Sequence, residues 1–184
     1  NHDEAYEYFT YGGVSHFSPG SLPDAAGHTI SLFSLSKAYG MAGNRVGYVA
    51  GPEAAIAQAL KLSTHTVYAA PTAAQLAALR ILEGAGDAWL ARTRDAYRSL
   101  GEAAADRLGV PLPEGSTFLF LDVAPHLDAR GLNGFLEDAA DRGLLLSPGP
   151  SFGPCPTHVR VCYTSAPPDV VLRGVEVLAS LLGK

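Results

Sequence analysis

The chain has few groups of the kinds that staple or metallate a small fold. Only two of its 184 residues are cysteine, and Cys155 and Cys162, flanking one expected strand, form neither a disulfide framework nor a zinc site. A reducing cytosol suits such a pair. The histidines at 2, 16, 28, 65, 126 and 158 show no HxxxH or HxH spacing, so no metal is assigned. No apolar run approaches the roughly 18 residues of a membrane helix, and the start of the chain shows no basic-then-apolar leader pattern. Basic excess is missing too: the net charge is -5 and the pI about 5.6, which removes the electrostatic reason to expect nucleic acid or an anionic membrane as partner. Arg80, Arg92, Arg94 and Arg98 form a local basic run, but Asp87 and Asp95 interleave with it, as on a solvated helix face. The expectation is a soluble, cytoplasmic protein. Its first residue is Asn1 rather than methionine, as expected of a processed or recombinant piece.

What is present is an ordinary globular composition, 47% hydrophobic and 17% charged, which argues against disorder. The length allows one domain or slightly more, with a real core. The most informative stretch is S-L-S-K-A-Y-G-M-A-G-N-R-V-G-Y, residues 34–48. Residues 28–33 and 46–50 are short and mostly apolar and read as buried strands, so Lys37 falls in the connection between them. A lysine partly desolvated there has its amine lone pair free to attack a carbonyl and form a Schiff base. Arg45 adds a planar, permanent cation suited to phosphate. Ser34 adds a hydroxyl, and Gly40, Gly43 and Gly47 permit close backbone approach to a bulky ligand. An imine-forming lysine beside a phosphate-binding group suggests pyridoxal 5'-phosphate.

This stretch, a serine three residues before the lysine and an arginine eight after it, resembles the cofactor-lysine signature of class I and II aminotransferases of fold type I. The resemblance implies that Lys37 carries pyridoxal phosphate as an internal Schiff base while Ser34 and Arg45 hold its phosphate. The opening Asp3-Glu4-Ala5-Tyr6 is similar to the family's D-E-x-Y. By that likeness Asp3 pairs with the protonated pyridine nitrogen, keeping the ring an electron sink, and Tyr6 hydrogen-bonds the ring's phenolic oxygen. Residues 147–153, S-P-G-P-S-F-G, resemble the family's P-G-x-x-F-G.

Proline and glycine punctuate residues 16–27 as a loop ahead of the lysine-bearing strand. Helices are expected over 53–62, 72–82, 87–108, 132–141 and 167–182, the second with Thr72 as N-cap and the third ended by Gly109. Residues 63–70 read as a polar, β-branched loop. Aspartate-type members of the family carry an arginine in this region for a second carboxylate; none stands here, so a dicarboxylic substrate is not supported by this stretch, with Lys61 or His65 leaving some room. Strands are expected over 117–123, 144–146 and 158–163. Arg160 alternates with Val159 and Val161 on the last of these and needs an anion. The resemblance makes it the clamp for the substrate α-carboxylate.

The expected fold class is α/β: the C-terminal part of the large domain of an aspartate aminotransferase-like transferase over 1–86, then an interdomain helix and a small, mostly antiparallel α+β domain over 87–184. The likeness matches only about the C-terminal half of a family member, without the glycine-rich phosphate loop, the ring-stacking aromatic or the first strands. The expected activity is amino group transfer between an amino acid and a 2-oxo acid. It would require the N-terminal half as a separate chain or a missing segment, and a homodimer or hetero-oligomer. Competing expectations are a decarboxylase or C–S lyase on the same scaffold, or the effector domain of a transcription regulator.

Overall fold

The computed structural model describes residues 1–184, which form two compact units, Asn1–Arg94 and Asp95–Lys184. Three short strands build the sheet of the first unit, in the order β1 (His2–Asp3), β2 (Ser31–Ser34), β3 (Gly47–Ala50). β1 runs parallel to β2, with Asp3 beside Leu32. β3 returns antiparallel, placing Ser34 opposite Gly47. A single helical turn, α1 (Pro23–Ala26), precedes β2. Lys37 lies between strands as expected, but on a structured connection: α2 (Leu35–Ala38) starts as β2 ends, and the Ser34 hydroxyl caps it by accepting the Ser36 N–H at 3.2 Å. Leu35, Met41 and Ala78 form this unit's small apolar cluster, with Tyr39, Val46, Ala77 and Ile81 packed on it.

Helix α3 (Glu53–Thr66) continues four residues past the expected end at 62. The Thr64 and Thr66 hydroxyls donate to the carbonyls of Lys61 and Leu62, so the polar groups that suggested a loop are satisfied along the helix itself. None of its residues is buried. Pro71, rather than Thr72, caps α4 (Thr72–Arg80). A widened turn over Ile81–Ala85, with Gly84 at φ 104°, leads into α5 (Asp87–Leu108), within which the two units divide. Gly109, at φ 62°, ends α5.

The second unit carries an antiparallel sheet in the order β4 (Phe118–Asp122), β6 (His158–Cys162), β5 (Ser147–Pro148). Helices α6 (Gly131–Asp141) and α7 (Pro168–Leu181) complete the unit. Strand alternation sends Leu119, Leu121, Val159 and Val161 into a core with Leu108, Phe135, Val175 and Leu178. Phe118, Phe120 and Arg160 take the opposite parity. The strand expected over 144–146 forms later, at Ser147–Pro148. Leu144 and Leu146 pack against the core instead, and Leu145 is left 88% exposed. No helix in the structure is long and apolar enough to cross a membrane.

Candidate active site

Asp3, Tyr6, Ser34, Lys37 and Arg45 all lie in the first unit. Register delivers two of them. Asp3 ends β1 alongside Leu32, and two residues further along β2 the chain reaches Ser34, the cap of α2. Lys37 follows on the exposed side of that turn, its Nζ 5.9 Å from the centre of the Tyr6 ring. A carboxylate, a phenol, a hydroxyl and an amine are thus carried on the ends of two adjacent strands. Lys37 is exposed, so the desolvation expected of a reactive lysine is not supplied by its own stretch.

The loop beyond α2 bends sharply. Gly40 takes φ 64° and Arg45 itself φ 52°, a left-handed conformation that is uncommon for a residue with a side chain. Its guanidinium donates to the Ala42 carbonyl at 2.7 Å, closing the turn while leaving its other donors for an anion. Gly47 has a different reason from the ligand approach expected of it: a Cβ there would run into the Phe33 carbonyl across the β2–β3 pair. Asp3 is exposed, and its Oδ1 accepts the Ala5 N–H at 3.0 Å, which fixes the carboxylate's rotamer.

Two neighbours of these residues escaped the sequence reading. Glu4 is buried, 1% exposed, with its carboxylate held by His16, Ser18 and Ser31. His2 Nδ1 stands 3.0 Å away, off the hydrogen-bond line. Burial pushes this carboxyl up, but the bonds from Ser18 and His16 and the nearby His2 outweigh it, so the group is held below the usual carboxylate range. The available signal was strand parity: if Asp3 points to one face, Glu4 points to the other. Tyr39, two residues after Lys37, is the second. Burial, and then a hydrogen bond with Tyr8, push its phenol well above the ordinary range. Its ring packs so closely on Gly86 that a Cβ there would come within 2.7 Å.

In the second unit Arg160 projects from β6. Its guanidinium carbon lies over the rings of Phe118 and Phe152, 4.2 Å from each ring centre. Its edge meets the Ser147 hydroxyl at a long 3.4 Å, and its Nε is buried without a hydrogen-bond partner. Further partners of such a cation are met by its N–H groups, which lie in the plane of the fork.

The profile of the aminotransferase class I and II family matches residues 2–178. The chain belongs to that family. Among aminotransferases of known sequence, it is 38% identical over 168 residues to arginine–pyruvate transaminase of Pseudomonas aeruginosa, spanning 86% of this chain and 42% of that protein. It is 33% identical over 174 residues to the probable aspartate/prephenate aminotransferase of Thermus aquaticus, spanning 89% and 43%. The fold matches an aspartate aminotransferase double mutant from Thermus thermophilus with a TM-score of 0.86 and 30% identity, over 97% of this chain and 47% of that one. An aromatic aminotransferase from Pyrococcus horikoshii gives a TM-score of 0.87 at 25% identity, over 98% and 50%. The architecture is therefore α/β and aspartate aminotransferase-like, and the chain spans a little under half the length of the curated relatives it matches.

Proposed function

We propose that this chain supplies the lysine-bearing side of a pyridoxal phosphate-dependent aminotransferase, which moves an amino group between an amino acid and a 2-oxo acid. The observation that carries this reading is the approach of the Lys37 amine to the Tyr6 ring, with Ser34 three residues before the lysine and Arg45 eight after it, in a chain that belongs to the family. The donor set fits the cofactor: an amine for an aldehyde, a hydroxyl and a guanidinium for a phosphate, a carboxylate for a pyridinium, and a phenol for a ring oxygen.

Ser34 and Arg45 would hold the phosphate, Asp3 the ring nitrogen and Tyr6 the ring oxygen. Lys37 would carry the cofactor through its amine and afterwards act as the base that takes and returns the proton at the substrate Cα. Bound there, pyridoxal phosphate supplies the electron sink that makes that proton acidic. Arg160, whose side chain makes one hydrogen bond, the long contact to Ser147, would grip the α-carboxylate with paired donors in the plane of its fork. Residues 1–86 serve as the large-domain part and 87–184 as the interdomain helix and small domain.

Residues 63–70 contain no arginine, so this stretch does not support a dicarboxylic substrate, and Lys61 and His65 are the cationic groups nearby that leave room for one. The partner is the N-terminal half, present as a segment or as a separate chain, in a homodimer or hetero-oligomer. Support comes from β3, exposed at all four residues, and from α3, without a buried residue. The free Cys155 and Cys162 suit the reducing cytosol. The test is an absorbance spectrum of the complete protein with pyridoxal phosphate, before and after an amino acid is added. A cofactor band that shifts with release of a 2-oxo acid is expected. A protein that takes up no cofactor, or that releases carbon dioxide instead of a 2-oxo acid, overturns the reading.

A further inference from the structure

Glu4 is a buried charge to which the proposed chemistry gives no task. Its side chain is fully shielded from solvent. Three donors from two other segments converge on it: His16 and Ser18 from the loop at 2.5 Å each, and Ser31 from the start of β2 at 3.2 Å. Burying a carboxylate carries a large desolvation penalty unless such partners offset it.

The backbone around Glu4 explains what the anchor holds. The pairing of β1 with β2 is only two residues long, far short of a stable strand pair. Bonds from His2 N to the Ile30 carbonyl and from Glu4 N to the Leu32 carbonyl, both 2.8 Å, bracket that pairing. Asp3 lies between those two amides, and its carboxylate is oriented by the N–H of Ala5, the residue after Glu4. The peptide units on both sides of Asp3 therefore depend on a segment that Glu4 ties to the loop and to β2.

We propose that Glu4 is a positioning residue: its anchorage to His16, Ser18 and Ser31 holds β1 against β2 and thereby fixes the Asp3 carboxylate for the cofactor's ring nitrogen. This rests on the role given to Asp3 above. Glu4 touches neither cofactor nor substrate; it acts through the two-residue strand and the Ala5 turn.

The experiment uses the complete protein and two probes, pyridoxal phosphate and its carbocyclic analogue with C–H in place of the ring nitrogen. Glu4→Gln is expected to weaken pyridoxal phosphate binding about tenfold while changing analogue binding by less than about twofold. In Asp3→Asn the same selective loss is expected, and the double variant should be no weaker than Asp3→Asn alone. Without cofactor, the amides of His2 and Glu4 in Glu4→Gln should exchange at least about tenfold faster. Ser18→Ala keeps the charge and removes one donor, so it should show the same pattern with smaller amplitude if Glu4→Gln fails to fold. Equal losses for both probes, or additive losses in the double variant, would reduce Glu4 to a structural residue and overturn the proposal. Unchanged amide exchange would remove the anchor while leaving Asp3's role standing. Asp3→Asn that binds both probes as the parent does would instead remove the assignment of Asp3.

Discussion

The guanidinium of Arg160 lies 4.2 Å from the ring centre of Phe152, a contact between a strand residue and the last residue of the 3-10 turn Gly149–Phe152. With the Phe118 ring centre at the same distance, the cation packs against two aromatic rings while its donors lie in the guanidinium plane. An ammonium has no plane to stack and no paired donors. Arg160→Lys should therefore lose on the order of 2 kcal/mol in amino acid binding and keep cofactor affinity. A spectral titration with amino acid reads this directly, and unchanged affinity would remove Arg160 from the substrate site.

Borohydride reduction of the cofactor-loaded protein, followed by peptide mapping, should place a pyridoxyl label on Lys37. Lys37→Ala should abolish turnover yet still bind cofactor measurably through Ser34 and Arg45. A label on Lys61 or Lys184 instead would contradict the assignment.

Gly47→Ala tests the close approach of β2 and β3. The added methyl meets the Phe33 carbonyl, so the pairing that sets Ser34 opposite residue 47 must shift. A loss of about 1–3 kcal/mol is expected from such overpacking, together with weaker phosphate binding. Gly43→Ala, where nothing lies within 4 Å, is the control and should be nearly silent in a thermal melt.

Acid should loosen the anchor around Glu4. Its folded-state carboxyl is held below the ordinary range despite burial, by Ser18, His16 and His2. The stability it contributes is therefore complete above the unfolded value of about 4.3 and is lost as pH falls through the lower folded value. Amide protection at His2 and Glu4, corrected for intrinsic rates, should fall over that window in the parent protein. In Glu4→Gln the fall should be absent; a parallel decline in both proteins would assign the acid sensitivity elsewhere.

The place of Lys37 between two strands was legible because the signal is local: two short apolar runs that become β2 and β3 flank the turn that carries it. The helix over 87–108 was legible too, with Asp87 at its start and Gly109 at its end. Non-local chemistry was harder to read. Glu4 looks like the lesser acid of Asp3-Glu4 until the loop folds back with His16 and Ser18. Residues 144–146 have a strand's composition, but Leu144 and Leu146 are spent on the core, and the ladder starts at Ser147, opposite Arg160. Residues 63–66 look like loop until their hydroxyls are seen bonding back along α3.

The two units differ in how much apolar matter they enclose. The second has a continuous core from Ala104 through Leu182, with Leu108, Val159 and Leu178 fully buried. The first gathers Leu35, Met41 and Ala78 into its cluster and also buries Phe9, Tyr11, Ala38 and Ala74, a smaller set to which the lysine turn contributes Leu35 and Ala38. Opening by heat or denaturant should therefore begin around residues 34–48, well before the second unit loosens. On that expectation, a ligand that binds the lysine turn adds its binding free energy to the stability of the first unit. Pyridoxal phosphate would then be a structural member of the first unit as well as its reagent, and the chain without cofactor would be the more open to proteolysis at residues 34–48.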